Sequence, residues 1–377
     1  MKVAVTTLAF CVAALLALGL VMLYSSMMTM QAGAHDLLMQ LIWCALGLTL
    51  CVTATALDYQ LLKKLVWPIF IFALVLLASV FAPLIGHASH GAHRWIGRGG
   101  FTVQPSEFAK VALIITLAWY CERQQRQMHT WKRGIIFPSI IIGVVLGLIF
   151  IEPDRGQTIL LAAVSGMMLL IAGVRWKHLL IPAMIGVAAL AFSLFHDSMR
   201  KGRISAWLHP DAHAGGAALQ AQQAMYGLGS GGWFGVGLGN GVRKFGYLPE
   251  IHTDFIFANI GEELGLIATL LVVLAFVVIA ICGIFIAFNA RDNFGFLLAS
   301  GITFLIGLQA AINIGVVTSA LPNKGLPLPF ISYGGSNLVA MLTCVGILFS
   351  IARRAPAREK ISKTSATDEN PFAARAT

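Results

Sequence analysis

The sequence predicts an all-α integral membrane protein with ten transmembrane helices, and three observations carry that prediction. Only 11% of the 377 residues are charged while 58% are hydrophobic. A water-soluble domain usually carries about a quarter charged residues, so one water-facing fold cannot absorb this chain. Uncharged runs of the ~20 residues that cross a ~30 Å hydrocarbon core recur from end to end. The Lys and Arg that remain gather in alternate connections between those runs.

The first run, 4–28, follows a lone Lys2. It exceeds the roughly 7–15 apolar residues of a signal peptide, so it reads as a retained first membrane helix. Further helices are expected near 37–57, 66–86, 105–121, 135–151, 157–173 and 179–196, and the last three near 262–288, 296–320 and 338–352. Backbone amides in lipid must be satisfied within their own segment, which makes each run helical. Glu152 to Gly156 leave only a tight hairpin between the fifth and sixth. Gly143 and Gly147 form a GxxxG pair, a pattern of close helix packing. Trp43, Trp67, Trp119 and Trp176 stand near helix ends, as interface anchors do.

With the N-terminus inside, Lys63, Lys64, Arg123, Arg126, Lys132, Arg133, Arg175, Lys177 and Arg291 fall in short cytoplasmic connections, and Arg353 and Arg354 follow the last helix. The excess of Lys and Arg on cytoplasmic segments therefore places both termini in the cytoplasm. Residues 1–353 form one polytopic domain. The polar, Ala/Thr/Ser-rich tail 354–377 lacks the apolar residues for a core and is expected to be disordered. The outward loops 87–104, 197–253 and 321–337 mix Gly, Pro, aromatic and charged residues, and the long one joins helices 7 and 8. Such loops on a rigid scaffold are where sites sit, so the chemistry is expected to face outward.

The formal charge of +10 is spread over short loops, with no Lys/Arg stripe interleaved with aromatics. It reads as topology and anionic-lipid contact, and nucleic acid is excluded as a partner. The six cysteines lie in or beside apolar runs without CxxC spacing, so neither a disulfide framework nor a zinc site is indicated. Gly227 to Gly232 match GxGxxG, but no strand precedes them and no βαβ unit surrounds them, so the match is chance. These glycines are expected to let the backbone lie flat near the headgroups.

Three further segments carry chemistry. In the first, His93 to Arg98 run into Val103-Gln104-Pro105-Ser106-Glu107-Phe108-Ala109-Lys110. Pro105 suits a helix start, and Glu107 and Lys110, three apart, share one helix face. Charges at membrane depth face a cavity or each other, and the sequence leaves both arrangements open. In the second, Asp254 stands where a polar loop enters an apolar stretch. It is either a partly desolvated general base or a helix cap. In the third, Pro322 to Ser336 hold too many prolines and glycines for continuous helix. Irregular backbone at that depth must be covered by protein or line a cavity.

Taken together and in this order, these segments resemble the SEDS family (shape, elongation, division and sporulation proteins), over about residues 20–353. The most specific stretches are HTDFIFANIGEELG, from His252 to Gly265, and LPFISYGGSN, from Leu328 to Asn337. Lys324-Gly325 is more like the division branch than the elongation branch. The resemblance implies a peptidoglycan glycosyltransferase that polymerises lipid II on the outer face of the cytoplasmic membrane during septal wall synthesis. It implies that Asp254 is the essential acid, and that Trp95, Glu107 and Lys110 border its cavity. Lys324 and Ser332 join the candidate substrate-binding residues. Two departures stand out: Thr102 replaces a basic residue common in the family, which Arg98 would supply from elsewhere, and Gln157 replaces Thr in the Pro153-Asp154-Arg155-Gly156 stretch.

In such a reaction one lipid-linked sugar hydroxyl attacks the anomeric carbon of a second and expels undecaprenyl pyrophosphate with inversion. Asp254 takes the proton as the bond forms, a role worth roughly 10²–10⁴ in rate. The leaving pyrophosphate needs positive charge, and Arg94, Arg98, Lys110 and Arg243 are candidates. A divalent cation, Mg or Mn, would share that task; no organic cofactor and no protein metal cluster are indicated. The implied partners are a class B penicillin-binding transpeptidase (FtsI-like) and other membrane proteins of the division machinery. The rival readings are a lipid II flippase, an elongation-type polymerase and a non-catalytic scaffold. A transporter usually holds substrate at mid-membrane between repeats, whereas here the acid and the irregular loops lie at the outer face.

Overall fold

The structure, a computed structural model, describes residues 1–27, 33–81, 86–89, 92–98, 101–195, 198–209, 219–246 and 251–355. In chain order the elements are α1 (Lys2–Met27), α2 (Gly33–Ala56), α3 (Tyr59–Lys64), α4 (Val66–Ser79), β1 (Gly86–Ser89), β2 (Ala92–Arg98), β3 (Phe101–Val103) and α5 (Pro105–Arg123). They continue with α6 (Phe137–Ile151), α7 (Arg155–Ile171), α8 (Trp176–Phe195), α9 (Ser198–Leu208) and α10 (Leu219–Ser230), then α11 (Ile256–Phe288), α12 (Asn293–Val317) and α13 (Gly335–Arg353). Nearly all of the tail lies outside the described residues.

Each of the ten predicted runs overlaps a helix, although the helix in the run 66–86 ends at Ser79 and Gly86 already opens a strand. Among the described residues, seven helices are long and apolar enough to cross a membrane. The helices Val66–Ser79 and Arg155–Ile171 are apolar but shorter, and α5 carries Glu107 and Lys110 in its interior. This is a multi-pass membrane protein. The core runs through α5, α12 and α13: 83% of the apolar window of α13 is buried, against 6% for α8, which lies at the edge. Phe294, Leu298 and Leu305 of α12 meet Leu113 and Leu117 of α5 and Leu342 and Ile351 of α13 in this core, all buried to within 1%.

Charge sorts the two ends of the bundle. At one end Lys63 pairs with Glu122 at 2.6 Å and Arg354 with Asp58 at 3.3 Å. Asn293 there donates to Gln125 at 2.7 Å. The other end gathers the irregular segments.

Four features depart from the sequence reading. The loop 87–104 is an antiparallel sheet in the order β1-β2-β3, with Gly86 opposite Ile96 and Ile96 opposite Val103. Its strands are too short and mixed in polarity to show a period of two. The loop 197–253 contains helices α9 and α10, and Trp207 Nε1 of α9 donates to the Ser319 carbonyl at 2.9 Å. Trp43 is no interface anchor. It is 7% exposed, and its ring packs so closely on Gly335 that an added Cβ would lie 2.4 Å from it. Gly143 and Gly147 meet nothing within 4 Å, so that GxxxG pair makes no helix contact within the described chain.

The glycine-rich segment after α10 does not lie flat near the headgroups. It is the missing backbone of a broken helix. Gly265 interrupts α11 with φ 81° and ψ −175°, a conformation that costs a side-chain-bearing residue heavily. The opened turn would strand polar groups, and the loop takes them up. Val236 and Gly237 donate to the carbonyls of Glu262 and Glu263 at 3.0 Å, while Leu266 and Ile267 donate to Gly232 and Trp233 at 2.9 and 3.3 Å. The approach is so close that a Cβ on Gly235 would lie 2.1 Å from the Glu263 carbonyl. Gly235→Ala is therefore expected to cost more than about 2 kcal/mol, by analogy with overpacking and positive-φ strain, whereas Gly143→Ala stays near neutral. Thermal unfolding of the two variants in detergent separates them; equal melting temperatures would refute the joint.

Candidate active site

The site begins with a charge pair inside the bundle. Glu107 and Lys110, one turn apart on α5, are both 0% exposed, and their charged atoms are 2.7 Å apart. Removing an ammonium or a carboxylate from water costs several kcal/mol each, so such a pair persists only when further hydrogen bonds complete it. Three helices supply them. Gln157 of α7 donates to Glu107 Oε1 at 2.5 Å, and Asn337 of α13 donates to Oε2 at 2.8 Å. Lys110 donates to Gln309 Oε1 of α12 at 3.1 Å. The pair is thus self-satisfied and does not border the cavity described below. Gln157, to which the sequence assigned no role, is one of its supports.

From Gln309 the network reaches the irregular loop. Gln309 Nε2 donates to the Pro327 carbonyl at 2.9 Å. One turn later on the same face, Asn313 Nδ2 donates to the Leu326 carbonyl at 2.7 Å and to the Asp254 carbonyl at 2.9 Å. Ser332 works on backbone too. Its hydroxyl donates to Thr253 O at 2.6 Å and accepts from Leu328 N at 2.8 Å, which leaves it buried as a staple between the two segments. Tyr333 N closes the joint on His252 O at 3.0 Å.

These bonds hold Asp254 beside the loop. A Cβ on Gly325 would come within 2.9 Å of Asp254 Oδ2, so the chain after Lys324 lies beside that carboxylate, and a side chain there would have to displace it. Helix α11 starts at Ile256 with Phe255 as its cap residue and no side-chain capping bond. Asp254 is therefore not the cap that the sequence left open as an alternative.

Lys324 and Gly325 line a cavity of about 340 Å³ together with Arg94, Arg155, Pro153, Gly156, Ile159, Leu190 and Ile204. Two of its cations are fixed by backbone. Arg94 donates to Glu152 O at 3.1 Å and Pro153 O at 2.7 Å, with Asp154 4.0 Å away. Arg155 donates to Phe150 O at 2.6 Å and lies over the Phe150 ring. Burial holds the Lys324 ammonium below the usual lysine range. Asp154 caps α7 by accepting from Gln157 N at 3.1 Å, so this helix presents its positive N-terminal end beside the cavity. Asn323 Nδ2 donates to Gln220 of α10 at 2.9 Å, tying the long loop to the rim.

The structure thus brings Arg94, Lys324 and Asp254 to one place, and adds Arg155, which sequence reasoning missed. A lone Arg in a hairpin carries no pattern; only the approach of the 322–325 loop gives it meaning. The other candidates lie elsewhere. Trp95 follows Arg94 in β2, where the pairing with β1 shifts register, and it is not among the residues that line the cavity. Arg98 ends β2 opposite Phe101, and its side chain lies outside the described residues. Arg243 rests on α10, donating to Gln223 and stacking on Tyr226 at 5.7 Å. Among the described residues no three His, Cys, Asp or Glu side chains converge on a metal position.

These features define a multi-pass membrane protein with an acidic residue and a cationic cavity at one end of a helical bundle. A family model described as "Cell cycle protein" (FtsW/RodA/SpoVE) matches residues 6–356. A probable peptidoglycan glycosyltransferase FtsW of Trichlorobacter lovleyi is 40% identical over 346 residues, covering 90% of this chain and 91% of that protein. A protein of the same name from Coxiella burnetii is 38% identical, covering 91% and 94%. Stage V sporulation protein E of Bacillus subtilis is 37% identical, covering 90% and 94%. A chain from a peptidoglycan synthase complex that coordinates polymerization and crosslinking superposes with TM-score 0.77 at 26% identity, covering 92% and 96%. The crystal structure of Thermus thermophilus RodA superposes with TM-score 0.69 at 27% identity, covering 93% and 97%. The chain belongs to the FtsW/RodA/SpoVE family, the SEDS proteins.

Two predictions follow the electrostatics. Glu107→Gln and Lys110→Met are each expected to lower stability by about 3–5 kcal/mol, because each leaves a buried charge alone. The double variant loses less than the sum, which a double-mutant cycle of detergent melting curves measures. Glu152 has both carboxylate oxygens buried and without a partner among the described residues. Burial, then the charge of Asp154, push its pKa up to about 8, against an opposing pull from Arg94. The fold thus favours the protonated form: that stability is full below the ordinary carboxylate pKa and is lost as pH rises through about 8. Glu152→Gln is expected to flatten the fall in melting temperature between about pH 4.5 and about pH 8.

Proposed function

We propose that this chain is a peptidoglycan glycosyltransferase that polymerises lipid II into glycan strands for the septal wall in cell division. One observation carries the reading: the Asp254 carboxylate lies against Gly325, at the edge of a cavity lined by Arg94, Arg155 and Lys324. The names of the relatives and the synthase complex support it. Crossing of the membrane by all ten predicted helices, with both termini in the cytoplasm and the site on the outer face of the inner membrane, belongs to the same proposal. The basic end of the bundle and the opposite, glycine- and proline-rich end support that orientation.

The reaction is an inverting substitution. The acceptor hydroxyl forms a bond to the anomeric carbon of the donor as the bond to the undecaprenyl pyrophosphate oxygen breaks. Asp254 receives the hydroxyl proton during bond formation, since an ordinary carboxylate is too weak to remove it beforehand. The electron pair of the broken bond stays on the pyrophosphate. Arg94, Arg155 and Lys324 face that charge in a site with little water, where fixed cations act most strongly. Ile159, Leu190 and Ile204 give the cavity an apolar wall for the first part of the lipid chain. A cavity of about 340 Å³ holds the pyrophosphate end of a lipid-linked sugar, not a whole disaccharide-peptide. Mg or Mn would be carried mainly by the substrate phosphates, as Mg commonly is. A class B penicillin-binding transpeptidase is the proposed partner, consistent with the coordinated synthase complex.

Purified protein, with and without its transpeptidase, is expected to convert lipid II to glycan ladders, and Asp254→Ala to make none. Ladders from that variant at the wild-type rate would remove the base. Lys324 should act only while charged. Because burial lowers its pKa, activity should decline on the alkaline side at a pH below the ordinary lysine value of about 10.4. Lys324→Arg, which stays charged, should move that limb upward.

A further inference from the structure

We infer that Asn313 is a positioning residue for the transfer reaction, setting the place of Asp254 relative to the Lys324–Leu326 loop through a single amide. The inference rests on the proposed glycosyltransferase reading.

The Asp254 carbonyl falls outside the helical ladder, since the first turn of α11 closes with Ala258 N on Phe255 O at 2.9 Å. The Leu326 carbonyl, between Gly325 and Pro327, likewise has no regular partner. Both would be stranded in a buried setting, at about 1–3 kcal/mol each. Asn313 is 1% exposed and gives its two N–H bonds to these two oxygens, at 2.9 and 2.7 Å.

Three details point to positioning rather than simple satisfaction. Asn313 Oδ1 is buried and has no donor among the described residues, so the amide orientation serves the two carbonyls at the expense of its own acceptor. Gln309, one turn earlier, repeats the device on Pro327 and is oriented by the Lys110 ammonium. Asp254 is therefore referred to the buried charge pair and the rigid helix α12 as well as to the Ser332 and Tyr333 bonds between the two segments. Finally, Gly325 leaves little slack, because even an added Cβ there would come within 2.9 Å of Asp254 Oδ2. A misplacement of ~1 Å far from the reacting atoms can cost about 10² in rate.

The test uses the full-length protein with its transpeptidase and lipid II. Asn313→Asp keeps the volume but removes both donors, and Asn313→Ala removes the amide; Asn313→Gln keeps the donors on a longer stem. Thr303→Val, on α12 but bonded only to Ala299 within its own helix, is the packing control. The result expected is a fall in kcat of about 10²-fold for Asp and Ala, with KM within about threefold. Gln should recover part of kcat, and the control should match wild type, all scaled to the folded fraction from size exclusion and melting. Wild-type kcat per folded molecule in Asn313→Ala or Asn313→Asp would overturn the inference, and so would failure of both to fold, which would make Asn313 a folding residue. Asp254→Ala is run alongside: if it polymerises normally, the base assignment fails, a result distinguishable from failure of the Asn313 effect alone.

Discussion

Two opposite charges with no exposed surface sit 2.7 Å apart on α5, and the end of the bundle that carries Asp254 is arranged around them. The cost of burying them is offset by their mutual attraction together with the amides of Gln157, Asn337 and Gln309, so α7, α13 and α12 must each present one residue at one depth and rotation. A one-residue slip of any of these helices would leave a charge incomplete in low dielectric. The pair thus acts on register more than on net stability. Through Gln309 that register passes to the loop holding Lys324, and through Asn313 to Asp254.

Backbone accounting explains the rest of that end. A helix broken at Gly265 and a loop with several prolines expose carbonyls and amides where water is scarce, and each needs a partner. The glycine-rich segment after α10 supplies backbone to the break, while Ser332, Gln309 and Asn313 supply side chains to the loop. A buried cluster fastens the break to α1. Glu263 accepts from Ser25 at 2.6 and 2.8 Å and pairs with Lys244 at 3.1 Å. At about 1.5 Å per residue, Gly265 lies about 35 Å along α11 from Phe288, close to one hydrocarbon thickness. The broken turn therefore stands about one hydrocarbon thickness from the end of α11 that carries Phe288.

The proposed chemistry needs an acid, a place for a departing pyrophosphate and an apolar approach for lipid. The bundle places these on separate supports. Asp254 belongs to the entry of α11, the cations to the sheet, the start of α7 and the 322–325 loop, and the apolar wall to α7, α8 and α9. Helix α8 has little packing of its own, so it forms one lipid-facing side of the cavity and not part of the rigid core.

The sequence by itself determined the membrane class, the helical runs and the irregular segments between them. These depend on local hydropathy, on the placement of Lys and Arg, and on glycine and proline breaking helix, all readable in short windows. It also singled out Asp254, Lys324 and Arg94, through charge placed at the edge of apolar runs and through the family resemblance. Only the tertiary structure decided that Glu107 and Lys110 satisfy each other, that Ser332 is a staple, and that Arg243 rests on α10. Only there did Arg155, Gln157, Gln309 and Asn313 acquire partners, over separations of up to 199 residues for Lys110 and Gln309. The reason is physical: whether a buried polar group faces a cavity or a partner depends on which helix lies opposite, and helix packing has no short-range signature in the chain.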